Sequence, residues 1–546
     1  MPVYKMSDYH ISPDGSRDQT RKLQKFLREL PSKRDCCLQF EPGIYHFYPD
    51  YAEERALSIA SHYEGMAKRC IFLLEGFENL LVEGNGAEFR FHMDCIPVYI
   101  TNSRRVTITN LNIDYARAGF SEAVIEKAGT RELIVRIDRE AYPFRVQNKR
   151  LYFREEKQEQ ELAGWVEFDA DTKAPLKQGK EFLTDGSPEA AAIECEMLDD
   201  DSISIVRSDG ECFLKNSQPG NILVMRHHSR SYPGFYVTDS QGICLEQVKC
   251  HFAEGIAFMA EWSADVLLEH FDVCRREDGP VFTAAADAAH FIHCSGRLEI
   301  SGCLFENQMH HGVNIHGIYA RIVDVPDSRT LLVRMVNNMQ KGILMAHPGE
   351  EMAVVQTADL TETVRGKVAA CYFINSDYQE IRFEEDLPPV WIGDVVENVS
   401  CVPEVLIHDC IFRNNRGKGV LLNGRGRSLV ERNLFTVPGA AVLMAGDAVR
   451  WFESGATGEI CIRENQFEGC GYASDWGRGV IQASPQFQEG ETGVYHKRIQ
   501  VLDNRFTGNV LPILWMEHVG TVEFRGNDVD EAADTSMILA DVENFE

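Results

Sequence analysis

The residues of this sequence best suited to chemistry lie in two neighbouring segments. The first, 282–294, has the sequence FTAAADAAHFIHC, and the second, 306–317, has the sequence ENQMHHGVNIHG. Carboxylates and imidazoles exchange protons at or below neutral pH, which is what general acid–base catalysis requires. The three alanines before Asp287 leave room for a ligand to approach the backbone. The two segments therefore predict a site that catalyses a reaction or binds a polar ligand.

Asp287 and His310 are 23 residues apart, which is about one turn of a repeating β-structure. Equivalent positions on adjacent turns lie about 5 Å apart, so we expect these two side chains to flank one ligand. Successive side chains of an extended backbone point in opposite directions, so we expect only one of His310 and His311 to reach the site. The residues expected on this outer face are Asp287, His290, His310, His311, Asn314, His316 and Asn423.

A recurring phrase predicts the elements that hold these residues. Each copy has an apolar strand, a polar or cysteine position, a phenylalanine and a turn. Phe412 and Phe435 are 23 residues apart, and Phe252 and Phe271 are 19 residues apart. Short strands repeated at this period favour a parallel β-helix with an interior ladder of phenylalanines. The copies are 248–255, 267–274, 300–308, 406–415, 429–439, 462–470 and 501–509.

The predicted fold is all-β: a right-handed parallel β-helix of the pectin-lyase-like solenoid type, with an N-terminal capping helix and two inserted small β-domains. Leu23, Phe26, Leu27 and Leu30 have helical spacing after Asp18, a predicted N-cap. Two charge-rich stretches interrupt the repeat. The expected domains are 1–114 (β-helix with cap), 115–235 (inserted β-domain), 236–317 (β-helix with the site), 318–401 (inserted β-domain) and 402–546 (C-terminal β-helix).

Composition narrows the possible partners. With 55 Lys and Arg against 84 Asp and Glu, the net charge is −29, which disfavours nucleic acid and anionic membranes as partners. We see no secretory signal and no apolar run of membrane-spanning length. The 16 cysteines form no C-x-x-C pair, and several lie in apolar strands, so we expect buried reduced thiols and no metal site. Because no secretory signal is seen, we expect a cytoplasmic protein. We expect no cofactor. Whether the chain forms a homo-oligomer is left open.

The run F-T-A-x-A-D-A-x-H-F, then C-x-G, L-F-E-N-Q-M and N-x-H-G resembles the glycoside hydrolase family 110 α-galactosidases. The segment 225–235 and the strand before Glu261 extend the resemblance. Members of that family are inverting exo-enzymes that remove terminal α-1,3-linked galactose, on a β-helix with inserted β-barrel-like domains. By matching, the resemblance implies functional roles for Asp287, His290, Asn314 and His316.

This sequence departs from the family at one pair of positions. Where the family has adjacent aspartates, it has His310 and His311. An inverting glycosidase needs a general acid and a general base, so something must replace the lost carboxylates. A neutral histidine can act as a base near pH 7. The candidates for the other carboxyl group are Glu277, Asp278 and Glu306.

Three functions follow from these residues. The first is an exo-glycosidase acting on galactosides or related glycans, with Asp287 and His310 or His311 as catalytic groups and with Glu261, Asn423, Glu306 and Asp278 among the substrate-binding candidates. The second is another carbohydrate-active enzyme, a lyase or epimerase, for which His310, His311 and His316 are candidate ligands of a divalent metal, although their spacing is not diagnostic. The third is a carbohydrate-binding protein that has lost its activity.

Overall fold

Parallel strands stacked in rungs form most of the molecule. The computed structural model describes residues 1–13, 15, 17–62, 65–155, 158–176, 182–183, 192–209, 213, 217–227, 230–473 and 476–546. Thirty-one strands join in one continuous sheet, and nearly all their pairings are parallel. The predicted β-helix is therefore confirmed.

The rungs belong to three stretches of the chain. The N-terminal strands are Val3–Lys5, Arg34–Gln39, Ile44–Phe47, Glu53–Ala56, Ala67–Glu75, Glu78–Phe91, Ile96–Thr101 and Arg104–Tyr115. The central strands are Phe235–Thr238, Gln241–Cys250, Phe258–Glu261, Ala264–Val273, Ala289–Ile292, Ser295–Ser301, Leu304–Glu306 and Val313–Ile318. The C-terminal strands are Pro403–His408, Ile411–Arg413, Val420–Leu422, Arg427–Glu431, Leu434–Thr436, Val442–Met444, Glu453–Ser454, Glu459–Arg463, Gln466–Glu468, Ile481–Ala483, His496–Leu502, Arg505–Thr507, Leu514–Arg525, Asp528–Val529 and Met537–Phe545.

An aromatic ladder fills part of the interior, as predicted. The rings of Phe412, Phe435, Phe467 and Phe506 stack on one another with centroids 4.8, 5.2 and 4.8 Å apart. The 19-residue spacing, in contrast, does not mark a rung. The 19-residue spacing would pair Phe271 with Phe252. In the structure Phe271 instead pairs with Val248, which is 23 residues before it.

A second ladder, of asparagines, runs beside the first. The side chain of Asn433 donates to Oδ1 of Asn465, Asn465 donates to Asn504, and Asn504 donates to Asn527, each at 3.0 Å. Each of these acceptor oxygens also accepts the backbone N–H of the asparagine one rung earlier. Buried amides are stable only when paired, and stacking identical turns pairs each amide with the next.

A helix covers part of the stack near its N-terminal end. It spans Thr20–Glu29 and buries Leu23, Phe26 and Leu27. The residue at its N-cap is Gln19, not the predicted Asp18. Asp18 instead accepts a hydrogen bond from the N–H of Thr20 at 2.8 Å. The helix lies against the strand Ala67–Glu75.

The two insertions are separate β-structures. The first has the strands Phe120–Ala128, Glu132–Arg136, Phe144–Gln147, Arg150–Arg154, Glu159–Glu161, Gly164–Phe168, Phe182–Leu183, Ile193–Met197, Ser202–Arg207 and Ile222–Arg226, which form a seven-stranded and a three-stranded sheet. The second is a closed six-stranded barrel of Ala320–Asp327, Thr330–Arg334, Glu351–Val355, Glu362–Phe373, Tyr378–Phe383 and Val395–Asn398. Both lie within the stretches that the charge-rich sequence marked.

Two further features concern cysteines and helices. The fifteen cysteines in the described ranges are free, and eleven of them are buried, whereas Cys244, Cys371, Cys401 and Cys461 are half-buried. Cys212 lies outside the described residues. Within the described part of the chain, no helix has both the length and the apolar character needed to cross a membrane.

Candidate active site

A cleft of about 910 Å³ opens beside the central rungs. Its floor comes from the segments 287–290 and 310–311, and its walls come from Asn314, the second insertion and the C-terminal rungs. A volume of this size is within the range of ligand-binding pockets. The lining residues used below are Asp287, His290, His310, His311, Asn314, Lys418, Asp447, Trp451, Glu453 and Trp476.

Asp287 lies at the floor of this cleft and is only 1% exposed. One carboxylate oxygen, Oδ1, is 2.5 Å from Nδ1 of His310 and accepts the backbone N–H of His311 at 3.1 Å. The other oxygen, Oδ2, is 2.8 Å from Nδ1 of His290. A carboxylate offers about four acceptor positions, so three are filled and one remains on Oδ2.

His310 and His311 both reach the cleft, contrary to the expectation that only one would. Their ring centroids lie 3.7 Å apart, and both rings make T-shaped contacts with Trp476. The reason is that residues 309–311 form a bend before the strand Val313–Ile318, so the strand alternation does not apply to them. The parallel register continues through this bend, since Ala288 N–H donates to the carbonyl of His311.

The hydrogen bonds of these two histidines define their tautomers. His310 donates from Nδ1 to Asp287, which leaves the lone pair on Nε2. His311 accepts the backbone N–H of Lys418 on Nδ1 at 3.1 Å, so its proton is on Nε2. His310 therefore presents an acceptor and His311 presents a donor.

The hydrogen bonds of His310 and His311 also decide whether these residues and Asp287 could bind a metal ion. Donor atoms of Asp287, His310 and His311 lie within 4.8 Å of one another, and the described residues hold this one such group. One carboxylate and two imidazoles are ligands that a divalent transition metal accepts. However, the Nδ1 lone pair of His311 already accepts the Lys418 N–H, and the neutral ring has no second lone pair. As arranged, the group does not fit a metal.

Burial and charge set the ionisation of the floor. Burial opposes ionisation of Asp287, but His310, His290 and His311 outweigh it and hold the pKa of Asp287 well below its usual value. Burial lowers the pKa of His310 to about 4, helped by Arg230 and Arg416 and opposed by Asp287. Burial also holds the pKa of His311 well below its usual value. At neutral pH the site holds a carboxylate beside two neutral imidazoles.

Glu453, which the sequence did not single out, is a second carboxyl group in the cleft. It lies in the short strand Glu453–Ser454, which pairs antiparallel with the end of Val313–Ile318. Its Oε1 is 3.7 Å from Nε2 of His316. Burial lowers the pKa of the half-buried Lys418, and the charge of Glu453 opposes this shift. The surrounding sequence, WFESGATG, carries no motif that would have identified it.

Several predicted residues lie close to Asp287. His290 and His316 meet behind it, with their Nε2 atoms 2.8 Å apart. Asn314 lies in the cleft wall. Glu261 is buried beneath the floor and accepts hydrogen bonds from the Ala60 N–H and the Tyr236 hydroxyl, both at 2.8 Å.

Other predicted residues lie outside the cleft. Asn423 lines a separate internal cavity of about 20 Å³ and accepts the Ala445 N–H. Glu306 is ion-paired with Arg413 at 2.8 Å. Asp278, with Glu277 beside it in the same turn, lines a second pocket of about 510 Å³ next to the first insertion. Asp278 and Glu277 do not line the cleft that holds Asp287. They are close to Asp287 in sequence, but the turn that carries them projects in another direction. His228 and Ser229 of the segment 225–235 lie outside the described residues.

The two insertions match known domain families. Residues 121–226 match the GLAA-B beta-barrel domain I, and residues 330–396 match the GLAA-B beta-barrel domain II. The chain thus combines a parallel β-helix, two insertions that match these domains and a carboxylate–imidazole cluster in a cleft.

Relatives along the whole chain give the family. The alpha-1,3-galactosidase B of Akkermansia muciniphila is 30% identical over 96% of this chain and 66% of its own length. The alpha-1,3-galactosidase B of Bacteroides thetaiotaomicron is 28% identical over 96% of this chain and 85% of its own. The chain belongs to the α-1,3-galactosidase family, glycoside hydrolase family 110. It spans about two thirds of the Akkermansia relative.

A solved structure is also similar in outline. An exopolygalacturonase from Thermotoga maritima has 11% identity and a TM-score of 0.43, with 96% of this chain and 88% of that chain covered. A likeness of this size says nothing about substrate.

Proposed function

We propose that this chain is an exo-acting glycoside hydrolase that removes a terminal α-linked galactose from a glycan with inversion. The observation that carries the proposal is the 2.5 Å contact between Oδ1 of Asp287 and Nδ1 of His310 at the floor of the cleft. The names of the relatives, α-1,3-galactosidases, support galactose as the sugar and α-1,3 as the linkage.

His310 is the general base in this proposal. Because Asp287 accepts its Nδ1–H, the lone pair on Nε2 is free to accept a proton from water. The side chain is 20% exposed, whereas Asp287 is almost fully buried. Asp287 orients the ring and stabilises the imidazolium that forms, as the carboxylate of a Ser-His-Asp triad does.

Glu453 is the general acid. An inverting enzyme places its acid and its base on opposite sides of the sugar ring, roughly 6.5–9.5 Å apart, so that a water fits on one side. Glu453 reaches the cleft from the C-terminal rungs, whereas His310 belongs to the central rungs. Its carboxyl proton passes to the glycosidic oxygen as the bond from the anomeric carbon to that oxygen breaks.

The reaction balances on these groups. The water oxygen bonds to the anomeric carbon, its proton goes to Nε2 of His310, and the leaving alcohol takes the proton of Glu453. Returning one proton to Glu453 and removing one from His310 through solvent restores the enzyme. His311 Nε2–H is placed to donate to a sugar hydroxyl, and Trp476 forms an apolar wall beside both histidines.

The experiment is hydrolysis of p-nitrophenyl α-galactoside and of an α-1,3-linked galactobiose, with the released anomer followed by NMR. We expect β-galactose as the first product from both substrates. Glu299→Gln is a matched control, since Glu299 is ion-paired with Arg297 outside the cleft. Initial release of α-galactose, or binding of galactose without turnover, would contradict the proposal. Activity lost on dialysis against a chelator would favour the metal-dependent alternative.

A further inference from the structure

Behind Asp287, three hydrogen bonds run in series through two buried histidines. Oδ2 of Asp287 is 2.8 Å from Nδ1 of His290, Nε2 of His290 is 2.8 Å from Nε2 of His316, and Nδ1 of His316 is 2.7 Å from the carbonyl oxygen of Gly317. His290 and His316 are 2% and 4% exposed. Each contact is short enough to require a proton between its two heavy atoms, because two lone pairs at such distances repel.

We infer that this chain of bonds holds one proton more than two neutral imidazoles supply, and that His290, carrying both ring protons, is a positioning residue for the base pair Asp287–His310. The inference rests on the proposed function for its catalytic consequence. The protonation itself follows from the contacts alone.

The proton count is direct. Two neutral imidazoles carry two ring protons, whereas the three contacts need three. A carbonyl oxygen has no proton to give, so the proton on Nδ1 of His316 goes to Gly317. The proton between the two Nε2 atoms is on His290, because the ring of His290 contacts the carboxylate of Asp287, so the lone pair on Nε2 of His316 accepts it. The third proton lies between Nδ1 of His290 and Asp287, and an imidazole nitrogen is more basic than a carboxylate.

The surroundings of His290 favour a cation there. Besides Asp287 and His316, Glu261 on the preceding rung and His62 from the N-terminal part interact electrostatically with it. Beyond His316, Glu453 lies 3.7 Å from Nε2 of His316, which is farther than the 2.8 Å between Asp287 and His290. Burial lowers the pKa of His62 to about 3, so it adds no positive charge. Burial raises the pKa of Glu261 to about 7, opposed by His290, so Glu261 is at least partly anionic near neutral pH.

Loss of this proton would change the floor of the cleft. With His290 neutral and still donating to Asp287, its Nε2 lone pair would face the lone pair of His316 at 2.8 Å. One ring would have to turn or move away. His316 belongs to the strand Val313–Ile318, which also carries Asn314 in the cleft wall. The extra proton therefore couples the orientation of Asp287 to the shape of the wall.

The direct test is NMR of the full-length protein labelled with ¹⁵N-histidine, with His290→Gln used to assign the signals of residue 290. We expect both ring nitrogens of His290 to be protonated at neutral pH, and those of His316 to be those of a neutral Nδ1–H tautomer. A neutral His290, or an imidazolium at His316, would overturn the inference. This measurement does not depend on turnover, so it stands or falls separately from the proposed glycosidase activity.

A pH profile tests the positioning role. We expect kcat/KM of the wild type on 2,4-dinitrophenyl α-galactoside, whose leaving group needs no proton from Glu453, to fall on the alkaline side as the His290 proton is lost. His316→Gln should keep this limb, because the side-chain carbonyl of glutamine accepts the His290 Nε2–H and cannot titrate. His290→Gln should abolish the limb and lower kcat about 100-fold, the usual effect of misplacing a reacting group by about 1 Å. A limb kept in His290→Gln and lost in His316→Gln would show that the extra proton is on His316.

Discussion

Asp287 and His310 are 23 residues apart in sequence, and their side chains meet at 2.5 Å on adjacent rungs of the β-helix. The register partner of Asp287 is His311, whose N–H it accepts, because Ala289 pairs with Val313, 24 residues later. The bend at 309–311 brings His310 to the same carboxylate. One aspartate thus binds both residues that stand at the positions of the family's paired aspartates.

Asp287→Asn should remove nearly all turnover. An amide can accept from His310 only at its oxygen and carries no charge to stabilise an imidazolium. The corresponding change in a Ser-His-Asp triad costs about 10⁴ in kcat, and we expect a loss of about 10³- to 10⁴-fold here. Initial rates on an α-galactoside measure it, with thermal melting to check the fold. Turnover within tenfold of the wild type would exclude Asp287 from the mechanism.

The acid limb of kcat/KM should lie near pH 4. The base must be unprotonated to act, and burial lowers the pKa of His310 to about 4, so activity is lost as pH falls through that value. A histidine with an ordinary pKa would instead place this limb near roughly 6.5. Measuring kcat/KM between pH 3 and 8 tests this directly. A limb at the ordinary imidazole value would mean that the base is not the buried His310.

His310→Asp should move the acid limb upward. The ordinary pKa values alone would suggest the opposite shift, since aspartate is a stronger acid than imidazolium. In the structure, the new carboxylate would replace an imidazole that contacts Asp287, and two adjacent carboxylates raise the pKa of one of them. The profile of the variant against that of the wild type shows the direction. A downward shift would indicate that the side chain at 310 turns away from Asp287.

Glu453→Gln should harm difficult substrates more than easy ones. A general acid matters most when the leaving group is a poor one, so loss on an α-1,3-linked disaccharide should be about 10²- to 10⁴-fold. Loss on 2,4-dinitrophenyl α-galactoside, whose leaving group needs no proton, should be much smaller. Asp447→Asn serves as a comparison, because Asp447 lines the same cleft. Its carboxylate accepts the backbone N–H groups of Val449–Trp451, so this variant should loosen that turn instead. Equal losses on both substrates in Glu453→Gln would remove Glu453 from the role of acid.

Asn465→Ala should destabilise the C-terminal rungs. The Asn465 side chain donates to the Val430 carbonyl at 2.9 Å and to Asn504 at 3.0 Å, and it accepts from Asn433. Removing it leaves these buried groups unpaired, which costs roughly 1–3 kcal/mol for each group left unpaired. Thermal melting, compared with the exposed Asn544→Ala, measures the difference. A melting temperature equal to that of the wild type would show that water replaces the ladder.

The repeat itself determined the fold. Phe412, Phe435 and the later phenylalanines recur with apolar strands at a period that only stacked turns satisfy, so the ladder followed from the sequence. The interruptions of the repeat located the two insertions for the same reason. The 19-residue spacing of Phe252 and Phe271 gave the wrong pairing, because similar sequence phrases on adjacent rungs need not occupy the same register position. Phe271 pairs with Val248 instead.

The sequence also brought Asp287, His290 and His310 to one site, since one rung separates their segments. Tertiary structure alone decided the rest. The bend at 309–311 sends both histidines into the cleft, and burial lowers the pKa of His310. Glu453 enters the same cleft from a rung more than 130 residues downstream of His316. Local pattern fixes how each rung forms, but which side chains meet across rungs, and how far water is excluded from them, depends on the packing of segments distant in sequence.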